Sequence, residues 1–175
     1  MALRKAHSYS KKKVGPFTRK SSVKSKAYIK TVPPSVITKY SMGKSDTSKL
    51  KHRLALVSCE KAQIRQNSIE ACRQYINRNL EEGFAGQYFF KILPYPHHIQ
   101  RENRMITGAG ADRMQTGMQL SFGVCMNKAA IIQPEGKIFF IAVSNEKEVK
   151  FVREIFRQIK SKLPCKTRVE YELIS

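Results

Sequence analysis

The first 53 residues carry 15 lysines and arginines against one acid, Asp46, a net charge of +14 that no hydrophobic core can enclose. An unpaired charge moved out of water is too costly to bury, so this third of the chain must lie at a surface and the core must come from the rest. Residues 54–110 hold 7 cations and 5 acids, net +2, and residues 111–175 hold 11 and 7, net +4. With 175 residues and 41% hydrophobic content, the chain suffices for one compact domain and an extension. The expected division is a basic extended segment over residues 1–50, its charge suited to a polyanion such as RNA, and a folded domain over residues 51–175.

A total charge of +20 is tolerated where counterions or a polyanionic partner offset the repulsion, and nucleic acid is the expected partner. In the first 30 residues Arg4, Lys5, Lys11, Lys12, Lys13, Arg19 and Lys20 are interspersed with serines and with Tyr9, Phe17 and Tyr28. Cations suit phosphates and aromatic rings suit stacked bases, while the small apolar content predicts a segment that orders on RNA or DNA. Residues 31–37 contain Pro33 and Pro34 and read as an extended connector. No membrane association is expected, since no apolar run approaches the roughly 20 residues of a membrane span. Residues 1–15 lack the apolar segment of a signal peptide, so an intracellular, cytoplasmic protein is expected.

Alternation and helical spacing predict an α+β domain with two helices packed on a mostly antiparallel sheet. Residues 53–58 read as a strand buried on both faces. Residues 60–80 read as a helix with Ile69, Cys72, Ile76 and Leu80 on its apolar side, capped by Ser58 and ended by Gly83. Residues 87–93 form a second strand. Residues 128–132 and 137–143 flank Gln133-Pro134-Glu135-Gly136 as a β-hairpin. Asn145 with Glu148 makes a capping box for a second helix striped by Val149, Val152, Ile155, Phe156 and Ile159. Residues 165–173 alternate as a half-buried strand.

Between these elements runs a stretch of different character. Residues 97–118 carry Arg101, Asn103 and Arg104, then Gly108, Gly110 and Gly117, with almost no bulky apolar residue. Such a stretch predicts a basic hairpin or protruding loop whose backbone approaches an anion closely. Residues 105–117 are expected to order only in an assembly, because fixing each residue costs about 1–2 kcal/mol with few apolar anchors to offset it.

The enzyme-like patterns fail on chemistry. His97 and His98, adjacent on an extended chain, point to opposite faces and cannot share one metal or one proton path. Asp112 lacks a second carboxylate for acid–base work. Gly43-Lys44-Ser45 ends like a phosphate-binding loop but has Thr38 where the first glycine is required. Gly108-Ala109-Gly110 begins a dinucleotide fingerprint that breaks at Arg113. Cys59, Cys72, Cys125 and Cys165 form no CxxC, so no structural zinc is expected; the first two and Cys165 lie on apolar faces and read as buried thiols. No catalytic residue, metal or cofactor is expected.

The run from His97 to Met118, His-His-Ile-Gln-Arg-Glu-Asn-Arg-Met-Ile-Thr-Gly-Ala-Gly-Ala-Asp-Arg-Met-Gln-Thr-Gly-Met, resembles the signature of the universal large-subunit ribosomal protein sixteen family, in its archaeal and eukaryotic ten-e form. Tyr28-Ile29-Lys30-Thr31-Val32-Pro33, Gln63-Ile64-Arg65-Gln66-Asn67 and Leu163-Pro164-Cys165-Lys166 extend the likeness, of archaeal type, over nearly the whole chain. The resemblance implies an α/β-hammerhead-like domain without enzymatic activity, bound to large-subunit rRNA near the transfer-RNA sites and the peptidyl-transferase centre. It implies that Arg101, Asn103 and Arg104 meet rRNA. Gly108, Ala109, Gly110, Ala111, Asp112, Arg113, Gln115 and Gly117 would form the loop facing transfer RNA. Neighbouring ribosomal proteins are further expected partners, and a homo-oligomer is not. The chain departs from the family pattern at His7-Ser8-Tyr9-Ser10, at Tyr40-Ser41-Met42-Gly43 and at Val124-Cys125, which questions RNA contacts at Ser10, Ser41 and Val124. The competing expectation is a free-standing RNA-binding protein or RNA chaperone, which shares the charge but needs no fixed loop.

Overall fold

The computed structural model describes residue 29 and residues 31–46, 50–102 and 124–174. Among them are strands β1 (Ser41–Gly43), β2 (His52–Ser58), β3 (Ala62–Arg65), β4 (Phe89–Ile92), β5 (His98–Glu102), β6 (Val124–Ile132), β7 (Lys137–Val143) and β8 (Thr167–Leu173). Two α-helices, α1 (Gln66–Phe84) and α2 (Glu146–Ile159), complete the α+β fold. Every strand pairing is antiparallel, but the strands divide into two sheets, β1-β4-β7-β2-β8 and β3-β6-β5.

The core lies between the five-stranded sheet and the two helices. β2 is buried on both faces through Leu54, Ala55, Leu56 and Val57, and β7 and β8 pair with its two edges, which makes it an interior strand of the sheet. The α1 stripe of Ile69, Cys72, Ile76 and Leu80 and the α2 stripe of Val149, Val152, Ile155, Phe156 and Ile159 join Phe90, Phe139 and Ile141 of the sheet in one cluster. Each such side chain contributes about 1.5–3 kcal/mol on leaving water. At the start of α2 the Glu148 carboxylate accepts the backbone N–H of Ser144 at 2.9 Å and of Asn145 at 3.1 Å, as the capping pattern requires.

The helix expected over residues 60–80 starts later and runs further. Residues 62–65 are β3, paired with β6 from Ala62↔Ile132 to Arg65↔Ala129. Ser58 does not cap α1; its hydroxyl donates to the Glu60 carbonyl at 2.6 Å and closes the turn out of β2. At the far end the left-handed residue is Ala85, φ 42° and ψ 48°, rather than Gly83, which sits inside the last turn of α1. A Cβ at Gly83 would lie 3.2 Å from the Phe151 ring, so this glycine accommodates α2 instead of ending α1.

Residues 133–136 turn as expected, with the Gly136 N–H on the Gln133 carbonyl at 3.0 Å, but β6 and β7 are no hairpin. The turn is a corner between the two sheets, held to the end of β2 by bonds from Ser58 N–H to Gly136 (3.0 Å) and from Glu135 N–H to Ser58 (2.8 Å). Of the thiols read as buried, Cys72 is buried and held up at about 12 by desolvation, and Cys165 is half-buried. Cys59 is exposed, because it lies in the turn after β2 rather than on an apolar face.

Gly43 is the position where backbone freedom matters most. Its φ is 85°, and a Cβ there would run into the Tyr88 carbonyl group. That carbonyl also accepts the Lys44 N–H at 2.8 Å, which keeps β1 against the start of β4. Gly43→Ala should therefore lower stability by about 1–3 kcal/mol or more, with a reduced denaturation midpoint as the readout. An unchanged midpoint would show that β1 contributes nothing to the sheet.

Candidate nucleic-acid interface

β5 and β6 bracket the glycine-rich basic stretch in the chain. Their register runs from His98↔Ala129 to Glu102↔Val124, so residues 103–123 depart from and return to one end of the small sheet. The register shifts between Gln100 and Arg101, which sets Arg101 opposite Cys125. Such irregularities re-aim side chains near functional edges. Arg101 is half-buried here. The other residues expected to meet RNA (Arg4, Lys5, Lys11, Lys12, Lys13, Arg19, Lys20, Asn103 and Arg104) lie outside the described residues, as do Gly108, Ala109, Gly110, Ala111, Asp112, Arg113, Gln115 and Gly117.

A buried amide ties the connector of residues 31–37 to the same sheet. Gln66, 2% exposed at the first turn of α1, accepts the Val36 N–H at 3.2 Å and donates to the Pro34 carbonyl at 3.4 Å. It also donates to the Asn127 side chain, and Asn127 pairs with Gln100 across β5 and β6. Ile37 enters the core, and Ile29 is buried. The connector at Pro34 and Val36 thus lies beside the strand pair that carries Arg101. Sequence reasoning missed Gln66, since a glutamine at the start of a helix carries no signal of a partner 30 residues earlier.

The described residues hold 20 lysines and arginines and 12 acids, net +8. Several described cations are held by neighbouring acids. Arg73 is bound by both Glu70 oxygens, at 2.7 and 2.8 Å, and its guanidinium holds the Glu70 carboxyl below the usual range. Arg73 forms part of the wall of a cleft of about 820 Å³ between β1, α1 and the entry to β4, together with Lys39, Lys44, Asn77 and Glu81. The Tyr88 hydroxyl, with one proton to donate, lies 2.9 Å from the Glu81 carboxylate and 3.0 Å from the Asn77 side-chain oxygen; burial and the Glu81 carboxylate raise its pKa to about 12.

His97 and His98 differ in exposure. His97 is exposed, whereas His98 begins β5 half-buried, and burial followed by the charge of His97 lowers its pKa. No cluster of three or more His, Cys, Asp or Glu side chains suited to a metal occurs among the described residues. Of the positions that depart from the family pattern, Ser41 is exposed on β1 opposite Lys91, and Val124 is exposed where β6 begins. Ser10 lies outside the described residues.

A family model described as "Ribosomal protein L16p/L10e" matches residues 16–170. The chain is 38% identical over 173 residues to "Large ribosomal subunit protein uL16" of Staphylothermus marinus, covering 98% of this chain and 95% of that one. Proteins of the same name from Saccharolobus islandicus and Saccharolobus solfataricus are each 37% identical over 147 residues, 83% of this chain and 82% of theirs. With a match of this extent and relatives this similar over nearly their full length, the chain belongs to the ribosomal protein L16p/L10e family.

Proposed function

We propose that this chain, a structural and non-enzymatic constituent of the large ribosomal subunit in the cytoplasm, binds large-subunit rRNA near the transfer-RNA sites and the peptidyl-transferase centre. Two basic stretches grip the RNA: residues 1–28, and residues 101–117 with Arg101, Asn103 and Arg104 at their base. The loop carrying Gly108, Gly110, Arg113 and Gly117 faces transfer RNA and supports late subunit assembly. The observation behind this reading is the Gln66 anchor, which ties the connector at Pro34 and Val36 to Asn127 of the strand pair that carries Arg101. The connector that follows the first stretch and the strand pair that precedes the second are thereby joined, which lets both stretches address one RNA surface.

The test of location is a photo-crosslinking group placed at Arg101 in assembled subunits. Crosslinks to rRNA around the transfer-RNA sites are expected; crosslinks confined to distant rRNA would overturn the placement. A protein that sediments apart from large subunits after a moderate-salt wash would instead favour a free-standing RNA-binding protein.

The isolated chain should also bind RNA with a steep salt dependence, because each phosphate contact releases counterions and adds roughly 0.7–0.9 to the log–log slope. Deleting residues 1–28 removes nine cations and keeps the buried Ile29. The slope should fall by several units, measured as affinity across a salt series. An unchanged slope would remove this segment from the RNA footprint.

A further inference from the structure

We infer that Tyr40, Tyr95 and His97 form a stacking platform for one unpaired nucleotide base of the RNA partner. The three rings make a continuous ladder. Tyr40 and Tyr95 are stacked with centroids 5.5 Å apart and planes 25° apart, and His97 sits 4.6 Å from Tyr95 at 49°. The ladder rises from the domain toward solvent: Tyr40 is half-buried, Tyr95 is 48% exposed and His97 is exposed.

Its geometry is set in advance. The Ile92 N–H donates to the Tyr40 carbonyl at 2.8 Å, the Leu93 N–H to Ile138 at 3.2 Å and the His97 N–H to Tyr95 at 3.0 Å. Pro94 and Pro96 restrict the backbone on either side of Tyr95, and His98 then enters β5 opposite Ala129. A segment held at both ends and stiffened by two prolines keeps its outer ring in place at little entropic cost on binding.

The surroundings favour a nucleotide over an apolar peptide. Lys39 precedes Tyr40, and Lys91 precedes Ile92, whose N–H bonds the Tyr40 carbonyl; both lysines are exposed, so the segments that carry the ladder also carry cations for the phosphates of a bound strand. A base offers a π-face to such a platform whatever its identity, and cations beside aromatic rings are the common device for holding single-stranded nucleic acid. The site rests on the RNA-binding role proposed above and adds to it a contact that does not depend on counterion release.

This independence supplies the test. The full chain is titrated with a single-stranded RNA containing 2-aminopurine, whose fluorescence falls when the base stacks, at several salt concentrations. Tyr95→Leu and His97→Ala should each weaken binding by roughly tenfold and lessen the quenching, with the salt slope unchanged. Tyr95→Phe, which keeps the ring, should behave as wild type. Thermal melts of all three variants separate a binding effect from a folding effect. Wild-type affinity and quenching in Tyr95→Leu, with the steep salt dependence intact, would overturn the stacking site alone. A Tyr95→Leu loss that follows lowered thermal stability and is shared by Tyr95→Phe would also overturn it. A wild-type chain without salt-dependent RNA affinity would overturn both the site and the RNA reading.

Discussion

Val152→Asp is expected to abolish folding. Val152 is fully buried in the α2 stripe, within the cluster that joins both helices to the five-stranded sheet. A carboxylate there would lose its water with no partner supplied, at a cost of several kcal/mol, against a total stability of about 5–15 kcal/mol for a domain. Ile155→Asp, at 3% exposure on the same stripe, should act alike. The milder Ile155→Val should cost only about 0.5–1.5 kcal/mol, because it removes one methylene and leaves no charge. Lys39→Ala and Arg104→Ala should melt with the wild type. Circular dichroism and thermal melts give the readout. If Arg104→Ala lost its fold as readily as Val152→Asp, the division between core and RNA-facing residues would be wrong.

The parts of this fold that were legible in the sequence are those whose signal is local. Asn145 and Glu148 lie three residues apart before a strict apolar stripe, so the start of α2 could be placed to the residue, while its end at Ile159 comes before the Pro164 that marks it in the sequence. The run from Leu54 to Val57, apolar at every position, gave a doubly buried strand. β3 was hidden because Ala62 and Ile64 alternate over only four residues before α1 begins, and Arg65, at the N-cap, offers no capping side chain to mark the boundary. Gly83 suggested a helix end, but its lack of a side chain serves the approach of Phe151, and Ala85 takes the left-handed conformation instead.

The split into two sheets had no local signal at all. Ile131, Ile132, Ile138 and Phe139 are equally apolar on both sides of Pro134 and Gly136, and only pairing with β2 or β3 decides which sheet each strand joins. The candidate interface divides in the same way. Its charge and its glycines could be read directly, because they are properties of composition. The Gln66 anchor and the Tyr40–Tyr95–His97 ladder depend on contacts between residues far apart in sequence.

The second large effect is expected from shortening residues 105–117. β5 and β6 pair through Glu102↔Val124 and through hydrogen bonds of their own, so a shorter connection leaves their register and the core beneath them in place. Nine of the cations lie in residues 1–28, so bulk RNA affinity should also survive. What is lost is Arg113 and the glycine-rich backbone around it, the groups proposed to reach transfer RNA. Particles are therefore assembled with the loop-shortened protein, and subunit joining and peptide-bond formation are measured beside wild type. Incorporation of the protein with a near-complete loss of late maturation or peptide-bond formation is the expected result; particles that assemble, join and form peptide bonds at the wild-type rate would contradict the central role given to this loop.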